Sequence, residues 1–496
     1  MLFNSFSFLL FFPAVIILFF LMPKKLRACW LLLASYFFYG CWNVQYLLLL
    51  FLATVSSYGA ALLMGDDLEN RKKRRFFLVS AIVVNLGLLG YFKYFNFLLE
   101  TAHKVISKLG GKGSFQAWDI LLPMGISFFV FQAIGYVIDV YRGKVKAEKN
   151  FLTYALFISF FPQLVAGPIE RAEEFLPQIR SIKEIKAFDT DRIMRGTTLM
   201  LYGYFMKMVI ADRAAIFVDV VFDPLTYEQY HGVIAWVGAI LFSIQIYCDF
   251  AGYTLIAIGC AKVMGFDLMD NFHTPYLARS IKDFWARWHI SLTGWFRDYL
   301  YFPLGGSRKG ALRKYVNVAI VFLVSGLWHG AAWHFVLWGG IHGALRIIEE
   351  LTEKPRKAIR SFLHEEEDSL AHQLFQIVFT FLLVTIAWVA FRASSIHQAL
   401  SIIKGMLTKV RPWALFDGSL YQMGLDEKEF MVLFVSIAIL ILVDVLTYRK
   451  KDLVGTFLKQ PLWFRWIVLW LWIGAIVVFG IYGENYDSSA FIYFQF

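Results

Sequence analysis

Apolar residues run along this chain in long blocks without Lys, Arg, Asp or Glu, at 1–23, 28–65, 76–92, 121–138, 151–169, 229–248, 315–345, 371–391 and 466–483. A hydrocarbon core about 30 Å thick needs roughly 20 such residues in helical form, so these blocks predict membrane spans or near-spans. Shorter or interrupted candidates lie at 196–222 and 429–447. The 28–65 block is too long for one helix and predicts a turn at 40–45. The fold class this implies is an all-α polytopic membrane protein of roughly eleven transmembrane helices. No period of 20–50 residues and no low-complexity linker interrupts the pattern, so residues 1–496 are expected to form a single membrane domain.

Basic residues fall between the blocks and predict orientation by the positive-inside rule. Lys24, Lys25 and Arg27 put the first loop in the cytoplasm and the N-terminus outside. The run Arg71, Lys72, Lys73, Arg74, Arg75 agrees, as do Arg142, Lys144, Lys146 and Lys149. The 151–169 block then has basic flanks on both sides, because Arg171, Arg180, Lys183 and Lys186 follow it. Its internal Phe160-Phe161-Pro162 and Gly167-Pro168 predict a re-entrant element. Such backbone survives at membrane depth only when buried in protein or lining a wet cavity. Parity fails again between the basic 281–314 segment and Arg449-Lys450-Lys451, which demands one more crossing or a second re-entrant piece between 315 and 428. The final span then places 484–496 outside, so both termini of this multi-pass cell-membrane protein are expected to be extracytoplasmic.

Composition narrows the class. Apolar residues make up 59% and charged residues 17%, with 51 Phe, 24 Tyr and 16 Trp, and the mean hydropathy is +0.58. Too few charges are present to coat a water-exposed surface, which excludes a soluble multi-domain protein, disorder and secreted disulfide scaffolds. The formal net charge of +11 is explained by the basic loops, so no nucleic-acid partner is expected; membrane lipid is. Cys29, Cys41, Cys248 and Cys260 show no CxxC pair and no zinc spacing, and read as packed residues. The N-terminus lacks a basic n-region and an A-x-A site, so no signal peptide is expected.

Two constellations could carry chemistry. The first is GLWHGAAWHFVLWGGIHG at 326–343, inside the 315–345 block. Gly326/Gly330 and Gly339/Gly343 stand at i,i+4, the spacing that lets helix backbones approach closely. An ionisable residue in an apolar span is costly and therefore a functional candidate, and neutral imidazole is the usual general base near physiological pH. On these grounds His329 is a candidate catalytic residue, while His334 and His342 read as packing. The second constellation runs from Asp283 to Pro303 and holds His289. Phe284, Trp288, Trp295 and Tyr299 fall on one helical face and Asp283 and Arg287 form an i,i+4 pair, which predicts an interfacial amphipathic helix with aromatic anchors. The Gly305–Gly310 turn lacks P-loop spacing.

These segments resemble the membrane-bound O-acyltransferases, specifically the bacterial branch that includes the membrane subunit of alginate O-acetyltransferase. The matching motifs are DFWARWHISLTGWFRDYLYFPLGG (283–306) and GLWHGAAWHFVLWGGIHG (326–343). Further matches are PQLVAGPIERAEEFLPQI (162–179), IYCDFAGYTLIAIG (246–259), LPMGISFFVFQAIGYVIDVYRG (122–143) and the N-terminal FNSFSFLLFFP. The resemblance covers nearly the whole chain in order. It implies a helical bundle around a central funnel or tunnel, with re-entrant and interfacial helices. It implies transfer of an acyl group, usually acetyl, to hydroxyls of an extracytoplasmic cell-envelope polysaccharide. The donor it implies is acetyl-CoA or another acyl thioester on the cytoplasmic side, used as substrate; no bound cofactor and no metal are expected. No CoA-binding motif is independently readable. The C-terminal FIYFQF resembles branch members that work beside a surface-exposed partner protein of the acyltransferase or esterase type.

By the same resemblance His329 is the essential residue and His289 a second important one. The chemistry fits. A hydroxyl attacking a thioester carbonyl must lose its proton, and a buried neutral imidazole can take it. His289 could position the acceptor, stabilise charge or relay the acyl group. Asp249 and Tyr253, at i,i+4, are either cavity-lining polar residues or a satisfied buried pair. They join Asp283, Trp285, Arg287 and Trp328 as the expected substrate-binding set. Gly167-Pro168 and Glu170 read as backbone shape and a cytoplasmic rim. A polysaccharide or lipid transporter would show two related halves, and none is visible. A di-iron oxidase would need His at i,i+3 or i,i+4. The nearer rival is D-alanyl transfer from a carrier protein to teichoic acid.

Overall fold

The computed structural model of the chain describes residues 1–65, 70–111, 116–165, 167–362, 369–408, 410–482 and 492. Among them every regular element is a helix, as the block pattern predicts. The helices gather into two compact units, one of Met1–Thr197 with Ile256–Met269, the other of Thr198–Leu255 with Asp270–Phe496.

In the first unit α1 (Phe6–Leu21) is capped by Ser5, whose side chain accepts the Phe8 N–H. The 28–65 block splits at the expected turn into α2 (Arg27–Gly40) and α3 (Tyr46–Met64). α4 (Arg71–Leu89) is capped by Asn70 and passes through a π turn, Gly90–Tyr94, into α5 (Phe95–Lys108). One member of its basic run departs from a purely solvated face. Arg74 is buried, and its guanidinium donates to the carbonyls of Gly65, Val140 and Tyr141. α6 (Ile126–Tyr141) is buried on nearly every side and packs against α3 and α4.

The 151–169 block does not cross in one piece. It folds as α7 (Phe151–Ser159) and α8 (Phe161–Leu164), broken at Phe160, with positions 153–165 all buried. The break exposes backbone groups that the bilayer could not satisfy. Three polar side chains do so instead. Gln132 and Gln163 donate to the Phe157 carbonyl at 2.7 and 2.5 Å, and Ser35 accepts the Phe161 N–H at 3.1 Å. A Cβ on Gly167 would fall 2.3 Å from the Gln163 Cα, so the return of the chain requires glycine there. α9 (Ala172–Arg180) and α10 (Thr190–Tyr204) follow. Glu170 is buried and accepts the Met269 N–H.

In the second unit a π segment, Phe205–Ala211, leads into α11 (Asp212–Val221), and the part of α12 (Val233–Met264) up to Leu255 carries Asp249 and Tyr253. α13 (Ile281–Arg287) and α14 (Ile290–Phe296) are short. The 315–345 block, read from sequence as one crossing, is two helices: α15 (Ala311–His329) and α16 (Trp333–Leu351), with Gly330 extended at φ −159°. The hairpin depends on small residues. A Cβ on Gly326 would sit 2.2 Å from the Phe335 carbonyl oxygen, and one on Gly339 the same distance from that of Phe322. The second helix of the pair falls within the 315–428 stretch where parity asks for one more crossing or a re-entrant piece. α17 (Glu353–Phe362), α18 (Leu370–Arg392), α19 (Ile396–Leu407), α20 (Glu427–Tyr448), α21 (Leu453–Leu458) and α22 (Leu462–Phe479) complete the unit. α20 opens on a capping box between Asp426 and Glu429.

Among the described residues seven helices are long and apolar enough to cross a membrane, and α1 and α6 are shorter apolar helices. Phe375 and Phe379 on α18, Phe434 and Leu442 on α20, and Trp470, Leu471 and Val478 on α22 are more than half exposed. Surfaces so apolar suit a lipid solvent. The expected outer position of 484–496 concerns residues that, Ile492 apart, lie outside those described.

Candidate active site

His289 sits at a break that the local sequence builds. Ser280 caps α13 by accepting the Asp283 N–H, and Arg287 closes the helix by donating Nε to Asp283 Oδ1 at 2.7 Å. Trp288 is extended, and His289 itself is left-handed at φ 45°, an uncommon conformation for a residue with a Cβ. Backbone bonds hold it there: His273 N–H to the Arg287 carbonyl and Ile290 N–H to the Asn271 carbonyl. The expected continuous interfacial helix is thereby corrected. Phe284, Trp288, Trp295 and Tyr299 are buried rather than anchored at a surface, because the break turns both short helices into the protein.

Asn271 organises the ring. It is fully buried, and its Oδ1 accepts the Ser291 hydroxyl at 2.6 Å and lies 3.3 Å from His289 Nδ1. Its Nδ2 donates to Thr254 Oγ1 at 3.4 Å, which fixes the amide orientation. With Oδ1 the acceptor, His289 donates from Nδ1 and carries its lone pair on Nε2.

His329 ends α15, where Gly330 lets the chain turn, and it is 4% exposed. Its ring lies 6.4 Å from that of His289, centroid to centroid. Trp328 flanks both, at 5.9 Å from His289 and 4.9 Å from His329. Trp338 and Phe391 meet His329 edge-on at 5.0 and 5.5 Å, and Phe250 meets His289 at 4.8 Å. Two imidazoles distant in sequence thus share one aromatic enclosure.

The other candidates divide. Asp249 pairs not with Tyr253 but with Lys207, whose Nζ lies 2.5 Å from Asp249 Oδ1 and 2.7 Å from Asp212 Oδ1. Tyr253 lies under the same ammonium, its ring centroid 5.9 Å away. All four side chains are buried, and the Ile492 N–H donates to Asp249 Oδ2 at 2.7 Å. Asp283 and Arg287 use their polar atoms on one another and on the backbone of 273–279. Trp285 donates Nε1 to His342 Nδ1 at 3.3 Å. His342 is fully buried among Phe284, Phe322, Trp338 and Trp388, and His334 faces the Ala390 carbonyl, so both are packed residues. Among the described residues no three His, Cys, Asp or Glu gather as a metal site.

Sequence reasoning missed Lys207 and Asn271. The single Lys in the 196–222 candidate span was a usable signal. It was hidden because Lys207 and Asp212 are five apart, a spacing that an α-helix splays. The π segment joins them instead, the Asp212 N–H bonding to the Lys207 carbonyl. Asn271 has no spacing relation to His289 that a helix would reveal.

Residues 147–396 match the model of MBOAT, the membrane-bound O-acyltransferase family. The chain is 38% identical to the protein named "Probable alginate O-acetylase AlgI" in Pseudomonas aeruginosa, over 82% of this chain and 75% of the relative. It is 33% identical to the "Peptidoglycan O-acetyltransferase" of Helicobacter pylori, over 94% of this chain and 91% of the relative. A "Teichoic acid D-alanyltransferase" of Bacillus subtilis is 28% identical over 47% of this chain and 60% of its own length. The family match includes His289 and His329, and the chain belongs to the membrane-bound O-acyltransferases, as a polytopic membrane acyltransferase.

Proposed function

We propose that this protein moves an acetyl group from a cytoplasmic thioester, acetyl-CoA in the first instance, to hydroxyls of an extracytoplasmic cell-envelope polysaccharide. The observation that carries the reading is the 6.4 Å separation of the His289 and His329 rings, brought together from two segments. His329 is the general base. It takes the acceptor's hydroxyl proton as the oxygen attacks the thioester carbonyl, the C–S bond breaks, and the proton passes to the departing thiolate. His289, oriented by Asn271, positions the acceptor or stabilises developing charge. Such proton transfer is worth typically 10²–10⁴-fold.

Asp249 and Tyr253 belong to the buried Lys207 cluster, which supports the site rather than touching the acceptor. Asp283 and Arg287 shape the break that holds His289, and Trp285 and Trp328 wall the site. A surface-exposed partner protein is part of the same proposal, on the strength of the C-terminal FIYFQF. D-alanyl transfer to teichoic acid is the second reading, favoured by the similarity to the Bacillus subtilis protein. Acetyl transfer is preferred because the acetylase relatives match more of the chain at higher identity.

Mass spectrometry of surface and wall glycans from cells with and without the gene tests this. Loss of O-acetyl groups, restored by the wild type but not by His329→Ala, is expected. Loss of D-alanyl esters instead selects the second reading, and unchanged glycans defeat both.

A further inference from the structure

His289 follows α13 and His329 ends α15, so the two rings meet only if α13 is fixed against the α15–α16 hairpin. α13 has seven residues, too few for a helix to hold a direction by itself. Two polar ties to α16 supply that direction. Glu349 accepts the N–H groups of Ile281 and Lys282 at 2.7 and 3.1 Å, satisfying free donors at the start of α13. One turn on, Trp285 donates Nε1 to His342 Nδ1 at 3.3 Å. We propose that His342 and Glu349 are positioning residues, which fix α13 from one stripe of α16 and thereby deliver His289 to His329. The proposal deepens the acetyl-transfer reading and rests on it.

The stripe is continuous. Trp338, His342 and Glu349 stand at i, i+4 and i+11 on α16, within about 40° of one another around the helix. Trp338 meets the His329 ring at 5.0 Å and that of Trp285 at 5.8 Å. α16 is in turn pressed against α15 at Gly326 and Gly339. One hairpin thus carries His329 together with both groups that hold α13, and α13 leads directly into the left-handed His289.

Packing alone does not require a histidine at 342. The ring is fully buried between Phe284 and Phe322, and its Nε2 has no hydrogen-bond partner among the described residues. A buried polar atom without a partner costs stability, and phenylalanine would fill the space without that cost. What the imidazole adds is an acceptor. An indole N–H can only donate, so Nδ1 carries the lone pair and the proton sits on Nε2, the reverse of the assignment at His289. Glu349 likewise has both oxygens on α13, with Arg346 3.5 Å from Oε2.

The test uses inside-out membrane vesicles from cells carrying each full-length variant, supplied with radiolabelled acetyl-CoA, with the cells' own glycans as acceptor. Rates are taken well below each variant's melting temperature and expressed per mole of folded protein. His342→Phe and Trp285→Phe remove the two ends of one hydrogen bond while keeping an aromatic ring. Each should lower kcat about tenfold or more, because small misplacements of reacting groups are costly, with little change in the KM for acetyl-CoA. The double variant should be no slower than either single one. Glu349→Ala should act in the same direction, and Glu349→Gln, which keeps one oxygen for the Ile281 N–H, should recover part of the rate. Trp285→Phe leaves α16 untouched and reads the same bond if His342→Phe does not fold. A double variant slower than both singles would mean that Trp285 acts on substrate directly. Variants that melt lower yet turn over at the wild-type rate would mean that the ties only stabilise, and either result overturns the proposal. A wild type that transfers no acetyl defeats the acetyl-transfer reading and the proposal with it. An active wild type, a silent His329→Ala and a His342→Phe at the wild-type rate defeat the positioning role alone.

Discussion

The ammonium of Lys207 is held 2.5 Å from the Asp249 carboxylate, both side chains almost wholly withdrawn from solvent. Asp212 completes the cluster at 2.7 Å from the same nitrogen, so one positive charge serves two negative ones. Burying ions is expensive, and such a group persists only when attraction and hydrogen bonds offset desolvation.

Replacing Lys207 by Met would leave two carboxylates facing one another in low dielectric. Breaking a buried pair typically costs about 3–5 kcal/mol, and K207M is expected to lose stability on that scale. D212N leaves the Lys207–Asp249 pair intact and should cost clearly less. Thermal melts of the purified variants in one detergent check the order; equal melts for wild type and K207M would show that the cluster contributes little.

His329→Ala is expected to reduce acyl transfer by about 10²-fold or more while preserving expression and melting temperature. A folded variant retaining more than about a tenth of wild-type transfer would remove His329 from the role of base. Asn271→Ala acts on the partner ring. It leaves the buried His289 Nδ1–H without its oxygen, a loss of about 1–3 kcal/mol, and should lower transfer less than His329→Ala does. The comparison needs both rates and both melts.

What the sequence made legible follows from the physics of each feature. Blocks of uncharged residues report withdrawal from water, into lipid or, as at 126–141 and 153–165, into the protein, so the helices emerged at nearly the expected places. The Phe160–Pro162 break was readable because proline and flanking basic loops both object to a straight crossing. The turn at Gly330 was not, because glycines at 326, 330, 339 and 343 serve equally for one close-packed helix or for two. Aromatic spacing from Phe284 to Tyr299 suggested a surface helix, since periodicity cannot see the left-handed His289 that breaks it. His329 stood out by chemistry, and His289 by the family resemblance. Their proximity, and the service of Lys207 and Asn271, depend on contacts between distant segments that no local pattern records.

The α15–α16 hairpin predicts a sharp contrast among glycines. Gly326→Ala and Gly339→Ala would each drive a methyl to within 2.2 Å of a backbone carbonyl oxygen on the facing helix. The helices must separate, and His329, three residues beyond Gly326, moves with them. Both variants should melt lower and lose transfer. Gly340→Ala, whose nearest neighbour is the end of the Leu323 side chain at 3.7 Å, should melt and work as the wild type. Similar behaviour of all three would mean that the hairpin tolerates a wider spacing.

Membrane sidedness offers the last test. The loops at 24–27, 71–75 and 142–149 are expected on the cytoplasmic side, and a hairpin that crosses twice would let Arg449-Lys450-Lys451 join them. If α15 leaves from the basic 281–314 segment and α16 returns, α17 lies on the starting side; α18 then crosses and α20 comes back. A thiol introduced at Lys73, which is exposed whereas Arg74 is buried, should resist an impermeant maleimide in intact cells and react after permeabilisation. Cys29 and Cys41 are themselves exposed and must first be replaced by Ser or Ala. A thiol at Lys450 should behave like the one at Lys73, because two helices, not one, occupy 311–351. If Lys73 stays protected while Lys450 labels from outside, the hairpin does not return, and α15 with α16 count as an odd number of crossings. If Lys73 itself labels in intact cells, the orientation of the whole chain is inverted, and a cytoplasmic thioester could not reach His329 from the side proposed.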